Sequence, residues 1–240
     1  MSAPSHSRAH DRLFFGGMAV ALAVVVFIGF GPTYYWASFG AGRTHTTLGA
    51  AYTGLFRLHG AVFTAWVACF LAQVFLVAGG RVALHRRLGY AVAVLAVAMV
   101  VFGMLVSVET ARQGIAPAGS DPVSFMIVPM VDMLMFGGFV AAAVIWRRDA
   151  PLHKRLMLAA YACLLVAALI RIPAVVALGP AAPVLGSFVP LLVGMAYDRR
   201  VHGRVHRAYK WGLAILVGAG LRVPIGQSAA WHALAAGLME

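Results

Sequence analysis

Long apolar runs, separated by short segments of basic and turn-forming residues, set the pattern of this chain. Seven runs stand out, at about 13–36, 55–79, 86–110, 123–146, 155–177, 183–198 and 208–226. Most have the ~17–25 residues that a helix needs to cross the hydrocarbon core of a bilayer. Lipid cannot pair with backbone N–H and C=O groups, so such runs predict helices. The expected fold is all-α: a single transmembrane helical domain, residues 1–240, of about seven transmembrane helices. The first run, with its core from Leu13 to Phe30, exceeds the roughly 7–15 apolar residues of a secretory signal and reads as the first transmembrane helix. The sixth and seventh runs are the shortest. The stretch from Gln227 to Glu240, with Trp231 and His232, is mildly apolar and is expected to lie along the interface.

Charge orients the bundle. Arg8, Arg12, Arg81, Arg86, Arg87, Arg147, Arg148, Lys154, Arg155, Arg199, Arg200, Arg204, Arg207 and Lys210 fall on one side. Only Arg43, Arg57, Arg112, Arg171 and Arg222 fall on the other, helix ends included. Such an excess in short loops marks the cytoplasmic side. The N-terminus is therefore expected in the cytoplasm and the C-terminus outside, in a bacterial inner membrane. Composition agrees: 62% of residues are hydrophobic, only 11% are charged and the mean hydropathy is +0.88. The net charge of +12 is spread between apolar runs rather than gathered on a soluble domain. It predicts contact with the bilayer and its anionic lipid headgroups, and no nucleic-acid partner. Cys69 and Cys163 each lie inside an apolar run and read as small buried hydrophobes.

A short repeat marks the cytoplasmic starts of three runs: Leu84-His85-Arg86-Arg87-Leu88, Leu152-His153-Lys154-Arg155-Leu156 and Val205-His206-Arg207. Two outer ends also match, Arg171-Ile172-Pro173 and Arg222-Val223-Pro224. Together they suggest three parallel helical hairpins after a leading helix. His85, His153 and His206 have two readings. They are interfacial anchors beside lipid phosphates, or they are ligands of a cytoplasmic-side haem.

The second run carries His59, Trp66 and Gln73 at i, i+7 and i+14, with Phe63 and Phe70 on the same stripe. A polar stripe in a membrane helix faces the bundle interior, either for interhelical hydrogen bonding or for ligand binding. Asp132 lies deep in the fourth run, about 14 Å along the helix from its start. An ionised carboxylate there costs roughly 2.5–3.5 kcal/mol on insertion scales and needs a proton, a partner or water. Pro129 sits one turn before it. Arg171, Arg222, Arg57 and Glu109 occupy the same outer half. Arg57 and Glu109 are candidate ion-pair formers. His59, Asp132, Arg171 and Arg222 could converge on one outward-facing pocket, as structural ion pairs or as a site for a small ligand, an anion or a proton. Met126, Met130 and Met133 form a helical stripe that reads as packing.

Several chemistries are excluded. The only lysines, Lys154 and Lys210, lie at the cytoplasmic edge, where no retinal could reach them. An outer bis-histidine haem lacks a second histidine beside His59. There is no Gly-rich phosphate loop and no His-Glu-x-x-His string, and no set of metal ligands is expected.

The stretch from His59 to Gln73, followed by His85-Arg86-Arg87-Leu88-Gly89, His153-Lys154-Arg155-Leu156-Met157 and Arg171, resembles a group of bacterial multi-span membrane proteins of uncharacterised activity. That group carries a His-Arg-x-Leu-Gly step followed by a His-Lys/Arg-x-x-Met step. The resemblance covers about half the chain, and it is loosely similar in helix layout to transmembrane b-type cytochromes. It implies a helical membrane fold and, through the cytochrome likeness, haem b. Three functions stay open: binding of a small ligand or anion, or proton-linked transfer, at a buried polar pocket; electron transfer through haem b; and a non-catalytic subunit role with a membrane-complex partner.

Overall fold

A computed structural model describes residues 5–36, 54–117 and 119–240. All regular structure among them is helical. The helices are α1 (Ser5–Phe30), α2 (Gly54–Ala78), α3 (Val82–Arg112), α4 (Pro122–Ile145), α5 (Ala150–Leu169), α6 (Pro173–Val176), α7 (Ala182–His202), α8 (Arg207–Gly218), α9 (Arg222–Gly226) and α10 (Ala229–Met239). The glycines and Arg43 of segment 37–53 lie outside the described residues.

Local chemistry explains the boundaries. Asp121 and Asp149 cap α4 and α5, accepting the Ser124 and Leu152 N–H at 2.7 and 3.1 Å, and each helix has proline in its first turn. Gly203, at φ 73°, ends α7 in the left-handed region that glycine tolerates. Pro32 has no N–H to give, and after α1 the chain widens into a π-helical turn, Gly31–Tyr35, closed by the Trp36 N–H on the Gly31 carbonyl at 2.8 Å.

Among the described residues, five helices are long and apolar enough to cross a membrane: Ala9–Tyr35 and α2 to α5. The run Arg207–Gly226 and α10 form a further pair, bent by 85°, that meets the same test jointly. Five or six candidate spans therefore stand where seven runs were expected. The fifth run does not continue to 177. Pro173 can neither donate a helical N–H nor tolerate a carbonyl four residues back, so α5 stops at Leu169 and α6 is a single turn. The sixth run forms α7, but Pro183, Pro190, Asp198, Arg199 and Arg200 keep it too polar to qualify by composition. The seventh run is one helical stretch, Arg207–Gly226, tightened by a 3₁₀ turn at Ala219–Leu221, and the 85° bend follows it.

The five spans close into a ring, each packing on the next and α5 returning to α1. Closure rests on Gly29, where a Cβ would collide with the Ala168 backbone. Helix α5 is central, with 67% of its span buried against 17% for α2. Its alanines, Ala159, Ala160, Ala162 and Ala168, let α7 and α8 approach its outer side while the ring closes on the other. Exposed surfaces of these helices are apolar, as on α3, where Val94, Val97, Val101 and Leu105 are exposed along one face.

Candidate functional site

The α2 stripe faces the ring axis. Trp66 is fully buried, edge-on to Phe136 of α4 at 5.0 Å and to Tyr161 of α5 at 5.4 Å between ring centroids. Phe70 meets Tyr161 at 5.0 Å. These four rings join α2, α4 and α5 in an aromatic plug at mid-height. Trp66 thus packs in the core rather than lining an outward pocket with Asp132.

Polar groups lie at both ends of the plug. At the end of the ring away from the basic segments, the His59 ring lies tilted by 33° against Phe63 at 4.0 Å, beside the Phe102 carbonyl and within the field of Arg171. Arg171 donates to the Ala167 carbonyl and sits 4.5 Å over the Phe30 ring. Tyr35 and Thr64 share a hydroxyl hydrogen bond of 3.1 Å, Tyr35 having been brought over α2 by the π turn. At the basic end, Gln73 lies beside Gly89. His85 of α3 lies against the Gln73 carbonyl, and its ring meets that of His153 of α5 at 6.3 Å and 85°. His153 Nδ1 is held by the Ala143 carbonyl at 2.8 Å. Five buried atoms along this column have no hydrogen-bond partner among the described residues: His59 Nδ1, Trp66 Nε1, Tyr161 OH, Gln73 Oε1 and His85 Nδ1.

The four residues expected to converge divide into two places. Asp132 pairs with Arg222, both almost fully buried, just past the 3₁₀ turn that follows α8. This pair borders a recess with Cys163, Ser187 and Phe188 that has room for about one water molecule. Gly226 makes the pairing feasible, because a Cβ there would strike the Ser124 backbone. His59 and Arg171 lie instead at the mouth of the ring opposite the basic end. Glu109 accepts from its neighbour Gln113 at 2.6 Å, and the Arg57 carbonyl accepts from the Tyr34 hydroxyl at 3.2 Å. No ion pair between Arg57 and Glu109 occurs among the described residues. Met126 packs beside Trp231, and the Met133 thioether lies over Gly103.

The repeated histidines also differ in role. His85 and His153 meet, whereas His206 caps α8, its Nδ1 accepting the Ala208 N–H at 3.2 Å. Burial, reinforced by the Arg155 charge, holds the His206 imidazole below the usual histidine range. Sequence reasoning missed the partner of this end of the molecule, Asp198. Fully buried, Asp198 accepts from Arg155 through both oxygens and from the His206 N–H at 2.9 Å. Asp11 likewise gathers Lys154, Tyr197 and His202. The available signal was an acid in a basic segment of a chain with only 7 acids.

The imidazole pair fits the donor set of a haem iron. An ion midway between two imidazoles, at roughly 2.0–2.1 Å per bond, sets their centroids about 6 Å apart. The carbonyl contact on each ring is the kind that orients ligating histidines. No family model, curated protein or solved structure matches this chain, and the functional reading rests on this geometry.

Proposed function

We propose that this chain is a protein of a bacterial inner membrane in which α7 and the stretch Arg207–Gly226 add two crossings to the five apolar helices, with its basic end in the cytoplasm, and that it passes protons along the axis of the five-helix ring through bound water or another small polar ligand. The column of five unpartnered polar atoms supports this reading. Each such atom costs roughly 1–3 kcal/mol when left unpaired, so a ligand or water that pairs with them is favoured. His59 serves as the outer proton acceptor and donor, with Arg171 repelling metal cations from the mouth. The Tyr161 hydroxyl carries the proton past the aromatic plug, where Trp66 can only donate. Gln73 and the His85–His153 pair form the inner relay. Asp132 and Arg222 lie off this axis, where they tie α9 to α4.

Protein reconstituted into liposomes with an internal pH-sensitive dye, under an imposed proton gradient and a clamped membrane potential, tests the proposal. Flux should exceed that of empty liposomes and fall at least about tenfold in Tyr161→Phe and in His59→Phe. Tyr161→Phe keeps the ring contacts of the plug and removes only the hydroxyl. Flux equal to that of empty liposomes, or unchanged in both variants, would sink it.

The 6.3 Å spacing of His85 and His153 favours a second reading, a haem b electron-transfer protein. His85 and His153 would hold the iron, and Arg86 and Arg87 would neutralise the haem carboxylates. Bound there, the haem supplies one-electron transfer. Sharp visible bands after dithionite reduction, lost in His85→Leu, would support this reading. A protein from haem-supplied cells with aromatic absorption alone would rule it out.

A further inference from the structure

A groove of about 730 Å³ runs along the outside of the ring between α4 and α8, floored by α5. Its walls are apolar, including Gly138, Leu156 and Ile215. Gly138 opens it, since a Cβ built there meets nothing within 4 Å. At the basic end the groove is framed by Trp146 and Trp211, 53% and 68% exposed, and Arg207 is the only charged residue that lines it. Arg147 and Arg148 follow Trp146, and Lys210 precedes Trp211.

We propose that this groove is a binding site for an anionic phospholipid, with one acyl chain along α4 and the headgroup phosphate on Arg207. Three features select that occupant. The walls carry no hydrogen-bonding side chain apart from the two indoles and Arg207, which suits hydrocarbon rather than a polar ligand. Tryptophans at one end place that end at the level of lipid headgroups. The cationic rim sits there and nowhere else in the groove, which matches a molecule with an apolar tail and a single anionic end. A helix from a second copy would lay a continuous side-chain surface in the groove and would have no need of a cation at one end. The site is independent of the axial column.

Brominated lipids, which quench nearby tryptophan, provide the test. The full chain is reconstituted in phosphatidylcholine bilayers titrated with dibrominated phosphatidylglycerol, or with dibrominated phosphatidylcholine as the neutral control. Trp66 and Trp231 are buried and form a constant background, and Trp36, which is exposed and does not line the groove, is replaced by Phe in every protein of the series. Phosphatidylglycerol should quench with a relative association constant roughly fivefold that of phosphatidylcholine, the preference expected of one basic residue at the surface. Arg207→Gln should bring the ratio to about one. Gly138→Leu, which fills open space and favours the helix, should lower quenching by both lipids. Equal quenching by the two lipids in the parent protein overturns the proposal, as does a preference that survives both substitutions. Cross-linking of Gly138→Cys from copy to copy, under the same dilute conditions, would assign the groove to a second copy instead.

Discussion

Replacing Arg222 by Met leaves the Asp132 carboxylate buried without its cation. The pair joins α4 to α9 across 90 positions of sequence, and both side chains are about one-tenth exposed. For unit charges about 4 Å apart, an effective dielectric near 20 gives an attraction of about 4 kcal/mol. Losing one member of a buried pair typically costs about 3–5 kcal/mol, because the survivor stays desolvated. Arg222→Met should therefore destabilise the bundle by about 3–5 kcal/mol, and Asp132→Leu by a similar amount. The double variant should return to within about 1–2 kcal/mol of the parent, since an apolar pair of like volume replaces the ions. Unfolding in mixed micelles of increasing denaturing detergent, followed by helical circular dichroism, measures all four corners of the cycle. Single variants that each cost under about 1 kcal/mol, or a double variant that costs their sum, would refute the assignment of this pair as the tie between α4 and α9.

Two further outcomes follow from the basic end of the molecule. Asp198→Asn removes the charge that accepts from Arg155 and from the His206 N–H. It should cost about 3–5 kcal/mol in the same unfolding measurement, and a loss below about 1 kcal/mol would contradict the buried network. His206 caps α8 through a neutral ring nitrogen, and its pKa is lowered from 6.5, chiefly by burial. A folded-state pKa below the unfolded one makes the cap's contribution complete above pH 6.5 and lost as pH falls through the folded value. Opening of the Ala208–Trp211 amides, read by hydrogen exchange corrected for the intrinsic rate, should therefore rise below that pH. His206→Asn, a cap that does not titrate, should flatten the profile, and a parent profile already flat would exclude the cap as a titrating element.

The apolar runs alone determined that the chain is helical, with helices long and apolar enough to cross a bilayer, because the backbone has no other way to satisfy itself in hydrocarbon. The spacing of His59, Trp66 and Gln73 showed which face of α2 turns inward, since helical period is a local property. The break at Pro173 was also written locally, although the run of apolar residues continues past it. Pairing was not legible in this way. Arg171 and Arg222 occupy the same place in a repeated motif, yet one lies over Phe30 and the other on Asp132. The choice depends on Gly226 letting α9 press against Ser124, a contact between segments about a hundred residues apart. Likewise His85 and His153 share a motif with His206 but meet only because ring closure at Gly29 and Ala168 sets α5 opposite α3. Which charge finds which partner is decided by close backbone approach between distant segments, and a linear pattern of residue types carries no record of that distance.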